Sequence, residues 1–587
     1  MYNNWSLDVL YRGTKDESLA TDMERFEKLA SLFGEAVATL DRNNAAKTLR
    51  NVIEIKEELT VLGHRLAGYF SLRRSVDSGD IEGASYLTRI LGLIASTKKD
   101  NVVFEKFAGS LDGIEGVIES DEILSQYRFY FEEIKNDNSH KMSDEAEALF
   151  AKMNIASGGN SWGDLFSHLT SKVKVDYNGE VTSLSAIRGL ADSDDPEVRK
   201  SAFYAEIACY DKIKDSIAFA LNSIKAQVNL EAELRGYEDP LAMTLEQSRM
   251  KKATLDAMFE AMREAMPAFR KYLRHKAELL GYENGLHWYE ILAPMGKADS
   301  ESFTVEDAHK YLVEHFATFA PDLAEMVDTA FKEEWIDFYP RAGKVGGAFC
   351  SNLPFVGQSR ILTNFSGSFG SVVTLAHELG HAYHGQQIQS HRPLNTGYTM
   401  PVAETASNFN ELIIVNDAIE KSEGEEKIRL IESQIQDSTQ IIVDIYSRFL
   451  FEDEVIRRRK NTFLYADELE KIMTNAQKEA YGDGLDPDCL HPYMWCCKSH
   501  YYRAGLSYYN FPYAFGGLFS RGLYAKYLEE GEAFLPKYRE LLRATTVDTV
   551  ENVAAIAGID LTRPEFWRES LKTITDQIDL FIKETSK

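Results

Sequence analysis

The chain has 587 residues, 44% of them apolar and 27% charged, which is the balance of a soluble globular protein and excludes a disordered or fibrous one. Its formal net charge of -27 argues against nucleic acid or an anionic membrane surface as a partner, since both select for basic patches. The five cysteines, Cys209, Cys350, Cys489, Cys496 and Cys497, are odd in number and form no Cys-x-x-Cys pair, which points away from a disulfide framework or a cysteine zinc site and toward a reducing, cytoplasmic setting.

The N-terminal stretch MYNNWSLDVLYRG lacks a basic start followed by an apolar run, and no later segment approaches ~20 uninterrupted apolar residues. Neither export by a signal peptide nor a membrane span is expected. From Leu19 to about Lys152 apolar residues recur at three- and four-residue intervals, predicting consecutive amphipathic helices. A glycine-rich break is expected at ASGGNSWGDL, Ala156 to Leu165. Beyond it Val173 and Val175 alternate with polar residues before Asn178-Gly179, a hairpin signal. A domain boundary is placed near residue 185, separating residues 1–185, helical with a short hairpin near the end, from residues 186–587.

Helices resume at DDPEVRKSAFYAEIACY, where Asp195 can cap and Pro196 suits the first turn. They continue to about Lys332. Between Tyr339 and Phe369 the segments RAGKVGGAFC and RILTNFSGSFG read as glycine-bounded short strands beside loops. After Ser371 helices return almost to the C-terminus. The expected class is mostly α, with a small β island just before a histidine-rich helix.

That helix, VVTLAHELGHAYH, is expected to end near Gly385. His377 and His381 are one turn apart on one face, the spacing at which two imidazoles can hold one zinc ion. Glu378, turned by ~100° from His377, can place a carboxylate beside the reacting water without ligating. The plain alternative is an amphipathic helix with histidines on its polar side. His384, outside the motif, reads as a surface histidine or one lying behind the ligands. A third ligand is needed, and MPVAETASNFNELIIVNDAIE predicts a helix on which Glu404, Asn408 and Glu411 share a face. Glu404 is the candidate ligand and Glu411 a candidate to orient a histidine through its other ring nitrogen; equally, both can face solvent.

The segment HPYMWCCKSHYYRAGLSYYNFPYAFGG places His500 near Tyr501, Tyr502, Tyr508, Tyr509 and Tyr513. A tetrahedral oxyanion needs hydrogen-bond donors, and a phenol or an imidazole N–H supplies one; an aromatic core patch is the competing reading. Cys496-Cys497 reads as buried packing.

HELGHAYH, followed by Glu404, Ser407 and Glu411 in a Glu-x-x-Ser-x-x-x-Glu pattern, resembles the thimet oligopeptidase and oligoendopeptidase F family of zinc peptidases. KVGGAFCSNLPFVGQSRILTNFSGSFGSVVTLAHELGHAYH and HYYRAGLSYYNFPYAFGGLFSRGLYAKY resemble the oligoendopeptidase F branch in particular. The resemblance spans most of the chain from about residue 190 onward. It implies one zinc ion per chain held by His377, His381 and Glu404, with Glu378 as general base. It also implies that His500 and nearby tyrosines contact substrate or stabilise the intermediate, with Tyr509 and Tyr513 preferred for the oxyanion, Tyr502 as a substrate contact, and Tyr502 and Tyr508 as substitutes. The implied fold is an elongated multi-helical ellipsoid with a deep substrate channel and a small β-sheet beside the histidine helix. Gly346, Gly347 and Ala348 then fall where a substrate backbone can approach closely. The implied activity is zinc-dependent hydrolysis of internal bonds in short unfolded peptides. Two other readings remain: a carboxypeptidase or dipeptidyl carboxypeptidase, with Arg341 or Arg503 receiving the terminal carboxylate, and a non-catalytic helical scaffold.

Overall fold

The computed structural model describes residues 4–296 and 302–586, and these are overwhelmingly helical. As the Asn178-Gly179 pair predicts, β1 (Lys174–Tyr177) and β2 (Glu180–Ser183) form an antiparallel hairpin. Both turn residues take positive φ, 52° and 84°, the conformation that matches the twist of the flanking strands. Asp195 caps the helix Pro196–Tyr210 by accepting from the Glu197 N–H.

The expected glycine-rich break is much narrower. Only Ser157 and Gly158 separate the helices Asp144–Ala156 and Gly159–Lys172. Here glycine serves packing, since a Cβ on Gly159 would stand 2.1 Å from the Ala504 Cβ. The helix thereby lies directly on the segment that follows His500.

A second sheet comprises β3 (Ile336–Asp337), β4 (Phe349–Leu353) and β5 (Gln358–Leu362), in the order β3-β5-β4. β3 runs parallel and β4 antiparallel to β5, leaving β4 as an edge. Alternate residues of a strand face opposite sides, and the sheet uses both. Leu353 and Leu362 join a core built from residues 5–134, whereas Ile361 joins the large core of residues 245–581. A third core links residues 166–228 with residues 451–504. The sheet is therefore wedged between two helical masses with its free edge beside the histidine helix.

Candidate metal and catalytic site

Three helices build the site. The histidine helix runs from Phe369 to Ile388, capped by the Ser368 hydroxyl accepting from Ser371 N–H. It does not stop at Gly385: that residue lies inside the helix, where a Cβ would meet Asn352 of β4 at 2.4 Å. Asn352 in turn donates to the His381 carbonyl (3.2 Å) and accepts from Ser359 (2.8 Å), tying sheet to helix.

The expected single helix around Glu404 is broken. Met400–Ala403 forms one short helix, Thr405–Lys421 the next, and Glu404 sits at the joint with φ -92° and ψ 10°. The third helix, Phe511–Glu530, packs on that joint. Gly516 lets it approach the Glu404 side chain, and Ser520 donates to the carbonyl oxygens of Glu404 and Thr405.

Nε2 of His377 and of His381 lie 3.2 Å and 3.3 Å from the same atom, Glu404 Oε2. The Ser407 hydroxyl donates to that oxygen at 2.8 Å. On the far side, His377 Nδ1 is 2.6 Å from Glu411 Oε1; with Nδ1–H donated there, Nε2 presents its lone pair to the carboxylate. Two acceptors face one another, so a positive charge belongs between them. A proton on His377 can supply that charge as well as a metal ion can. Burial disfavours charge on His377, but Glu404 and Glu411 outweigh it and lift its pKa to about 10. Burial likewise opposes charge on Glu404, yet the two histidines hold its carboxyl far below the usual range. The three donor atoms lie within 4.8 Å of one another, and no other such group occurs among the described residues. Their chemistry fits a divalent cation of the zinc type.

Glu378 follows His377 and is buried at 6% exposure. Burial raises its pKa, partly offset by His377 and His381. A carboxylate made more basic in this way is a better proton acceptor.

The structure brings His500, Tyr509 and Tyr513 together. The imidazole ring is 4.9 Å from Tyr509 and 6.0 Å from Tyr513, and the two phenol rings are 5.6 Å apart. Burial, then Tyr509, then the Glu404 carboxylate push the Tyr513 phenol up, keeping it protonated. Burial and the cations Arg448, Arg503 and Lys498 depress His500 to about 4, leaving a neutral imidazole at pH 7. Arg503 itself lies 5.3 Å over the Tyr509 ring.

Tyr502 and Tyr508 are not part of this group. Tyr502 is buried, stacks on Phe166 at 3.8 Å and donates its hydroxyl to the Trp495 carbonyl; no donor is left for a substrate. Tyr508 is buried with its hydroxyl on Asp453. His384 is not on the surface but fully buried, bonded to Thr545 and to the Leu542 carbonyl. Arg341 is engaged by both oxygens of Asp337. Gly346 and Gly347 are exposed and Ala348 half-buried, immediately before the free edge of β4. Sequence reasoning missed the parts played by Asn352, Gly380 and Asn410. Asn410 ties the second helix to the first by donating to the Ala376 carbonyl; no local pattern marks such a contact. The Ser407 bond was within reach of the three-residue spacing from Glu404.

A family model described as peptidase family M3 matches residues 189–573, and one described as oligopeptidase F matches residues 110–174. The chain is 25% identical over 528 residues to oligopeptidase PepF of Bacillus subtilis, covering 88% of this chain and 78% of that protein. It is 24% identical over 593 residues to an oligoendopeptidase F homolog of Lactococcus lactis subsp. lactis, covering 96% and 94%. Its fold is also that of the crystal structure of oligoendopeptidase-F from Enterococcus faecium, with a TM-score of 0.69 at 19% identity over 96% of this chain and 99% of that one.

Proposed function

The chain belongs to peptidase family M3 and is a metallopeptidase, and from that premise we propose that it is a cytoplasmic, zinc-dependent oligoendopeptidase that cuts internal bonds of short unfolded peptides. The observation that carries this reading is the convergence of His377 and His381 on one oxygen of Glu404, with Glu378 on the same helix.

One zinc ion per chain, held by His377, His381 and Glu404, would supply Lewis acidity toward the scissile carbonyl and toward water. Glu378 takes the proton of the attacking water and passes it to the leaving amine; its raised pKa suits both transfers. Tyr509, Tyr513 and the neutral His500 are the donors available to the oxyanion. The substrate backbone adds to the free edge of β4, entering past Gly346, Gly347 and Ala348, where small side chains permit close approach. Only an extended, unfolded chain can pair in that way. The acidity of the chain speaks against nucleic acid as a partner, and no helix among the described residues is long and apolar enough to cross a membrane.

Arg503 favours a second reading. It is exposed and beside Tyr509, where it can receive a terminal carboxylate as a carboxypeptidase requires. The test is hydrolysis of an internally quenched peptide, with free and amidated C-termini, before and after chelation, alongside elemental analysis. About one zinc per chain with chelator-sensitive cleavage of both peptides supports the endopeptidase. Cleavage of the free acid alone favours the carboxypeptidase. No metal and no cleavage after zinc addition leaves the scaffold reading.

A further inference from the structure

Tyr508 is the only aromatic residue among the described residues with positive φ, at 54°. A bulky side chain takes this conformation only where its surroundings enforce it. The enforcing contacts are specific. Glu452 Oε1 accepts from the Tyr508 backbone N–H at 3.1 Å, Asp453 Oδ1 accepts from its hydroxyl at 2.9 Å, and Thr244 donates to the Ser507 carbonyl at 3.2 Å.

Glu452 is itself held. Lys225 Nζ donates to the same Oε1 at 2.6 Å, and the two side chains are 0% and 1% exposed. Lys225 lies on the helix Lys214–Leu234 and Glu452 on Ile445–Arg459; neither belongs to the three helices that build the candidate site. Beyond the strained residue the chain delivers Tyr509, half-buried, into contact with His500 and Tyr513.

We propose that the Lys225–Glu452 pair, together with Asp453, is a positioning device for the Tyr509 hydroxyl in peptide hydrolysis. This rests on the reading of Tyr509 as an oxyanion donor. A buried ion pair is poor evidence of a stabilising role, because apolar side chains of similar volume often hold two helices as well. They cannot accept a hydrogen bond from the Tyr508 N–H. Without that acceptor the turn relaxes toward negative φ and the next side chain changes direction. A small displacement of a group that must meet a developing charge is costly to the rate.

The experiment is a double-mutant cycle on the full zinc-loaded chain, combining Lys225→Met/Glu452→Leu with Tyr509→Phe. The pair variant is expected to melt near the wild type, with kcat lowered ~10–100-fold and KM little changed. In the Tyr509→Phe background the same pair substitution should change kcat less than about twofold, since the hydroxyl it aims is gone. Equal losses in both backgrounds would assign the pair a structural role and overturn the proposal. Wild-type kcat in Tyr509→Phe alone would overturn the Tyr509 reading and the proposal with it; a loss there without coupling overturns only the positioning. If the pair variant does not fold, Asp453→Ala, at a half-buried position, takes its place in the same cycle with the same criteria.

Discussion

Gly380 of the histidine helix lies against the backbone of Ser407, so closely that a Cβ on it would stand 2.5 Å from the Ser407 Cα and 2.5 Å from the Ala406 carbonyl oxygen. This contact sets the distance between the two histidines and Glu404. Backbone cannot move aside as a flexible side chain can. Gly380→Ala should therefore force the helices apart, costing about 1–3 kcal/mol of stability despite alanine's better helix propensity, and should weaken zinc binding. Thermal melts and zinc content check it; a variant with the wild-type values of both would show that the helices do not meet there.

Glu378 has a buried carboxylate and no part in the ligand set. Glu378→Gln is expected to keep its metal and lose ~10²–10⁴-fold in kcat, the usual contribution of a positioned base. Turnover near the wild-type rate in a metal-replete sample would remove Glu378 from the reaction.

Glu411 orients His377 from behind at 2.6 Å. Glu411→Gln retains size but not charge. Zinc affinity, measured by competition with a chromophoric chelator, should fall ~10–100-fold; an unchanged dissociation constant would show that His377 needs no such partner.

His500 is depressed to about 4 by burial and by Arg448, Arg503 and Lys498, against about 6.5 in an unfolded chain. Between those values the unfolded chain binds the extra proton, so stability rises with pH. The contribution of neutral His500 is complete above pH ~6.5 and lost progressively as pH falls toward 4. An NMR titration of the His500 ring should give a midpoint near 4, and His500→Gln should flatten the acid side of the stability curve. A midpoint at the ordinary histidine value would contradict the environment described.

Signals that act within a few residues were legible. The Asn178-Gly179 turn, the Asp195 cap and the amphipathic helices depend on local backbone geometry, which sequence states directly. Signals that depend on packing were not. Gly159 reads as a breaker but is a contact surface for Ala504. Glu404 reads as mid-helix, yet it occupies a joint on which a third helix packs. Among the five tyrosines between residues 501 and 513, nothing in the spacing distinguishes Tyr509, beside His500, from Tyr502, whose hydroxyl is already used.

By itself the sequence determined the helical class, the presence of a small β island and the placing of His377, Glu378 and His381 on one turn of one helix, because a period of 3.6 residues relates those positions without reference to the rest of the chain. Only the tertiary structure decided that a single Glu404 oxygen meets both imidazoles, that Glu411 stands behind one of them, and that Tyr509 and Tyr513 gather at His500. Those relations join residues far apart in the chain, and their distances are set where helix backbones touch at Gly380 and where a strained turn is clamped at Tyr508.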